Sequence, residues 1–145
     1  MKQKEVTPLT DDLLMKVMET FLPKEFPGYF DIVDIRTENS LDGPIINIYL
    51  DEKANPPDDH RDAVPNGFYE ETAINDFPIR ERKTILRVRR RRWKDSEGRS
   101  FSRNWQLIAK GTRLSKEFAE FLKKMYGLFP DHREIPPNFL PYKGG

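Results

Sequence analysis

Nine consecutive residues, Ile85-Leu86-Arg87-Val88-Arg89-Arg90-Arg91-Arg92-Trp93, bring together the groups most suited to binding chemistry in this chain. A guanidinium stays charged at any working pH and offers five N–H donors in a planar fork that matches phosphate oxygens or guanine O6 and N7 in pairs. Arg87, Arg89 and Arg91 alternate as they would on a β-strand, one face carrying all three about 6.5 to 7 Å apart, close to the spacing of successive phosphates. Trp93 continues that face and could stack on a base or pack at a rim. Residues 80–103 hold eleven Lys/Arg against three Asp/Glu, a net +8, whereas residues 1–79 hold seven against seventeen, a net −10. The chain as a whole is only +1, so a near-neutral total conceals a bipolar molecule. Charge asymmetry of this kind points to a polyanionic partner.

A second constellation is Asp58, Asp59, His60 and Asp62, whose carboxylates and imidazole could hold a cation and activate water. It lies between prolines, has Arg61 in its middle and lacks any metal-ligand spacing, so a solvated polar loop is the expectation. There is no cysteine, which excludes a disulfide scaffold, a thiol nucleophile and a Cys-ligated zinc site, and the only histidines are His60 and His132. No metal, cofactor or catalytic residue is expected. With 37% hydrophobic and 12% aromatic residues the chain should fold. No stretch reaches the roughly 20 apolar residues of a membrane span, and the N-terminus is not of signal-peptide type, so a soluble, cytoplasmic protein is expected.

The elements that must position these groups follow from periodicity. A helix is predicted from about Asp11 to Phe21: Thr10 caps it, Leu9 can staple to Leu14, and Leu14, Val17, Met18 and Phe21 form an apolar stripe that should be core, with Pro23 as the stop. Residues Tyr29 to Arg36 and Ile45 to Leu50 read as strands joined across a polar turn at Glu38 to Gly43, an antiparallel hairpin. Asp51 to Asn66 reads as a loop, Phe68 to Ile74 as a short strand, and Asp76-Phe77-Pro78 as a turn leading to Ile79 and the arginines. A helix follows Gly111, capped by Ser115, stapled by Leu114 against Ala119, with Phe118, Phe121, Leu122 and Met125 as its stripe and Gly127 as its end. Residues 1–126 therefore make one α+β domain, an antiparallel sheet of four to five strands in two hairpins with an N-terminal and a C-terminal helix. Residues 127–145, with four prolines after Leu128, read as a poorly ordered tail.

The second hairpin decides the function. Asp95-Ser96-Glu97-Gly98 is a turn signal, and a four-residue loop would set Lys94 opposite Arg99, Val88 opposite Trp105 and Leu86 opposite Leu107. Arg87, Arg89 and Arg91 would then face Gln106, Asn104 and Ser102, and Arg90 would face Arg103. Two like charges so placed need an anion, either a phosphate or a carboxylate from the −10 half, within one molecule or across a dimer. The candidate contact set is Arg87, Arg89, Arg91, Arg92, Trp93 and Lys94 before the turn, with Arg99, Arg103, Lys110 and Arg113 after it. Double-stranded DNA is the expected partner; the alternative is a protein–protein interaction module whose basic hairpin docks on an acidic surface.

In order along the chain, Ile74 to Arg80, Leu86 to Trp93, Phe101-Ser102-Arg103 and Gly111 to Ser115 before a helix resemble the N-terminal region of bacterial insertion-sequence transposases. The likeness is to the ISAon group and the related ISL-three type, and runs from the first helix to about Lys124. It implies a zinc-ribbon-like hairpin followed by a DNA-binding helical unit and a catalytic DDE domain. Asp95-Ser96-Glu97-Gly98 stands where the second zinc knuckle would fall, so the resemblance implies a hairpin lacking metal ligands. Leu128 to Gly145 does not resemble the continuation, and an RNase H-like domain has no room in this chain. The expectation is a DNA-recognising region without catalysis of its own, contacting element ends, free of metal, and acting with a separate catalytic polypeptide or as a homodimer.

Overall fold

A computed structural model describes residues 10–126, and in it the α+β class holds. Helix α1 (Asp11–Phe21) starts where expected, Thr10 accepting a hydrogen bond from the Leu13 N–H at 3.1 Å. Its stripe is not core: Met18 is buried, but Leu14 and Val17 are exposed and Phe21 is 54% exposed. The core is entered at the end of the helix, through Met18 and then Leu22 and Phe26 beyond it. Leu9, Gly127 and the tail lie outside the described residues.

Strands β1 (Phe30–Ser40) and β2 (Gly43–Glu52) form the expected antiparallel hairpin, closing Ser40 onto Gly43 across Leu41 and Asp42. Strand β3 (Val64–Phe68) begins inside the stretch read as a loop and ends at Phe68, the expected start of the short strand; that expected strand is replaced by β4 (Thr72–Ile79), which absorbs the expected turn at Asp76-Phe77-Pro78 as a bulge in its pairing. The turn falls instead at Arg80 and Glu81, both with positive φ (57° and 78°). Strand β5 (Arg82–Arg89) is central because Ile85, Leu86 and Val88 are fully buried. It pairs parallel with β2 and antiparallel with β4, giving the order β1-β2-β5-β4.

The arginine strand does not run through to Trp93. It breaks at Arg90, and β6 (Arg91–Lys94) joins a second sheet, β3-β6-β7, with β7 at Ser100–Ser102. The expected single antiparallel sheet is thus two: a mixed four-stranded one and a three-stranded one. The hairpin register is also corrected by one residue, to Arg92 opposite Ser102, Trp93 opposite Phe101 and Lys94 opposite Ser100. Gly98 takes a positive φ of 79°, Asp95 N–H donates to Arg99 O at 2.9 Å, and three residues rather than four close the turn. Residues 103–107 form no strand, so Trp105 and Leu107 do not face Val88 and Leu86 across a ladder; they pack onto the main core from a loop. Helix α2 (Lys116–Tyr126) follows, with Leu114, Phe118 and Leu122 in a satellite cluster against Phe77 and Phe121, while Met125 of the expected stripe is exposed.

Candidate nucleic-acid interface

The break at Arg90 reverses the in-and-out parity of the strand. Leu86 and Val88 point inward before it, and Trp93 points inward after it, with no exposed surface at all. Trp93 therefore cannot stack on a base in this fold, and its Nε1–H donates to Glu52 at 3.4 Å. Arg87, Arg89 and Arg91 do not form one free face either. Arg87 is half-buried, donating to Asn47 Oδ1 at 3.0 Å and lying 3.6 Å from Glu71. Arg89 grips Asp51 of the neighbouring parallel strand through Nε (2.7 Å) and Nη2 (2.5 Å). Arg91 donates from Nε to the Glu52 carbonyl at 3.1 Å, and from its backbone N–H to the Glu52 carboxylate at the same distance.

Glu52 is the centre of this arrangement. Only 2% exposed, its carboxylate also accepts from Trp105 Nε1 at 2.8 Å and lies 3.8 Å from Arg103 Nε. Arg103 lies just past the end of β7 and has no cross-strand pairing with Arg90, and its Nη2 donates to the Asn55 carbonyl at 3.1 Å. The like-charge pair expected across the hairpin does not form. Arg99 turns back on Asp95 (3.3 Å) and Glu97 (2.6 Å). Asp95 in turn accepts the Arg99 and Glu97 backbone N–H groups, which hold its carboxyl below the ordinary range.

Two adjacent aromatics separate the remaining guanidinium groups. Arg89 and Arg91 lie 4.3 and 4.4 Å from the centre of the Phe68 ring, and Arg90 and Arg92 lie 5.3 and 4.9 Å from that of Tyr69. A cation over a ring face gains about 0.5 to 1 kcal/mol at an exposed site, enough to offset neighbouring like charges in part. Neither ring stands out in the sequence, because their place beside the arginines depends on the β3–β6 pairing. Glu52 escapes sequence reasoning for the same reason: it stands 39 residues before Arg91 and meets it only through the tertiary fold.

Of the nine basic candidates, Arg91, Arg92, Lys94, Lys110 and Arg113 make no ion pair among the described residues; the Glu52 carbonyl holds the Arg91 side chain, and Arg90 joins the other four. Arg90, Lys110 and Lys116 line one cleft, and Arg92 meets Arg90 over Tyr69, so part of this set is contiguous. No protein-family model, curated protein or solved structure matches the chain. Among the described residues no helix is long and apolar enough to cross a membrane, and no three His, Asp or Glu side chains gather as a metal site. The Asp58 to Asp62 stretch is a 3₁₀ turn at Asp58–His60, in which the His60 ring packs on Phe101 at 4.5 Å.

Proposed function

We propose that this chain is the DNA-recognising N-terminal region of an insertion-sequence transposase, a cytoplasmic protein that binds duplex DNA and works with a separate catalytic polypeptide. The observation that carries the reading is the residual set Arg90, Arg92, Lys94, Lys110 and Arg113, which stays without a carboxylate although acidic groups pair with Arg87, Arg89, Arg99 and Arg103. The ordered likeness to the ISAon group supports the same reading. Magnitudes sort the other arginines. In the Arg89–Asp51 and Arg99–Asp95 pairs the arginine side chains are 46% and 73% exposed, and exposed pairs contribute about 0.2 to 1 kcal/mol, so a phosphate can replace either carboxylate. Arg103 faces the buried Glu52 carboxylate, where breaking a pair costs about 3 to 5 kcal/mol, and Arg91 Nε donates to the Glu52 backbone carbonyl, so both stay with the fold.

The test is duplex binding at two salt concentrations. Arg90→Ala with Arg92→Ala should weaken binding to random duplex and make the slope of log K against log salt shallower by about 0.9 for every phosphate no longer engaged. Arg36→Ala, an exposed change on β1, is the control. Affinity and slope that match the control would overturn the assignment. Displacement of an acidic protein, with duplex DNA unable to compete, would favour the docking-module alternative.

A further inference from the structure

Beside the break at Arg90 lies a cleft of about 560 Å³, within the size range of small-molecule sites. Ile74 of β4 and Val88 of β5 are fully buried beneath it and Leu107 is nearly so, which makes its floor apolar. Trp105 and Ile108, both half-buried, extend that surface with an indole and a branched aliphatic chain.

Above the floor stand three cations, Arg90, Lys110 and Lys116, and no aspartate or glutamate lines the cleft. None of the three forms an ion pair among the described residues. On either side of Arg90, Arg87, Arg89 and Arg91 each have a carboxylate or carbonyl acceptor, so three uncompensated cations over one apolar surface stand apart. Lys116 Nζ donates to Gln106 Oε1 at 3.1 Å, which fixes the amide so that its nitrogen remains a donor beside the cations. Thr72 adds a hydroxyl.

We propose that this cleft binds a phosphate monoester with a flat, largely apolar body, a nucleoside monophosphate being the type case. Three cations suit a group carrying about −1.5 to −2 at pH 7 better than a single carboxylate. The Arg90 fork can take two phosphate oxygens, and the lysines act as point charges around the third. The ring system would lie on the Trp105 and Ile108 surface, with Gln106 and Thr72 meeting its polar edge. Recognition of this kind needs no duplex, so the inference goes beyond the DNA reading and shares only Arg90 and Lys110 with it.

Amide NMR of the full chain tests it, with separate titrations of AMP and TMP, of adenosine as body without charge, and of inorganic phosphate as charge without body. At least one nucleotide should shift the amides of Gln106 to Lys110 saturably, and adenosine and phosphate should each bind at least tenfold more weakly. Lys110→Ala with Lys116→Ala, both exposed positions, should lower nucleotide affinity tenfold or more while leaving the rest of the spectrum in place. The proposal is overturned if neither nucleotide shifts those amides, if adenosine or phosphate binds as tightly as the nucleotide, or if the double variant binds unchanged. Arg92→Ala, outside the cleft, reads the duplex assignment separately: lost duplex binding with intact nucleotide binding, or the reverse, identifies which of the two readings has failed.

Discussion

At Glu52 one buried carboxylate accepts hydrogen bonds from two indoles and a backbone N–H and faces a guanidinium, so its removal leaves several donors without a partner at once. Glu52→Ala should cost about 3 to 5 kcal/mol in urea unfolding, the range for breaking a buried pair. Glu52→Gln, which keeps acceptor oxygen but no charge, should cost about 1 to 3 kcal/mol. A loss below about 1 kcal/mol for the alanine variant would remove Glu52 from the centre of the fold. Asp76 is the opposite case. It is buried, and burial holds its carboxyl above the ordinary 3.8, against the hydrogen bonds from Ser115 Oγ (2.7 Å) and the Phe77 N–H that favour the ionised form. A carboxyl whose pKa is higher folded than unfolded holds its proton more tightly in the folded state. Its contribution to stability is therefore present at low pH and is lost as pH rises from 3.8 through the folded value. Asp76→Asn keeps an acceptor for Ser115 without the buried charge, so it should melt higher than wild type at pH 7, and the gap should close as pH falls toward about 4. A gap that stays constant over that range would show that the carboxylate's charge is not its source.

Among the elements, the ones defined by neighbouring residues were legible and those defined by distant partners were not. The β1–β2 hairpin and both helices show their period and caps in the sequence, and Thr10 and Ser115 cap where their side chains predict. The parallel pairing of β2 with β5 joins residues about forty apart, and no local pattern announces it. Turn chemistry misled twice. Asp76-Phe77-Pro78 carries turn residues but lies in β4, while Arg80 and Glu81, which do not look like a turn, take the left-handed conformation that a two-residue hairpin needs. For residues with a Cβ that conformation costs about 1 to 2 kcal/mol each, less for asparagine and least for glycine. Arg80→Asn with Glu81→Gly should therefore stabilise the protein by about 1 kcal/mol, read as a raised urea midpoint with unchanged denaturant dependence. A lowered midpoint would mean that these two side chains do more for the hairpin than their backbone costs.

For the whole molecule the charge segregation was plain in the sequence, but its internal settlement was not. The acidic first half supplies Asp51, Glu52 and Glu71 to the arginines, and whether an arginine is free depends on which strand lies beside it. That settlement bounds the duplex binding proposed above. If the five free cations alone engage phosphates the salt slope should be about −4.5, whereas engagement of all ten basic groups would give about −9. It also yields a gain of binding, which misfolding cannot imitate. Asp51 is the sole carboxylate paired with Arg89 among the described residues, and Arg89 is the chain neighbour of the free Arg90. Asp51→Asn removes the competing charge while leaving a neutral oxygen for one guanidinium bond. If the duplex lies along this strand, the variant should bind it more tightly than wild type at low salt, and its slope should steepen by about 0.9 as Arg89 takes up one more phosphate. The Arg89→Ala, Asp51→Asn double variant should abolish that gain. Should Asp51→Asn bind with wild-type affinity and slope, Arg89 does not face the DNA, and the binding surface lies instead toward Lys110 and Arg113.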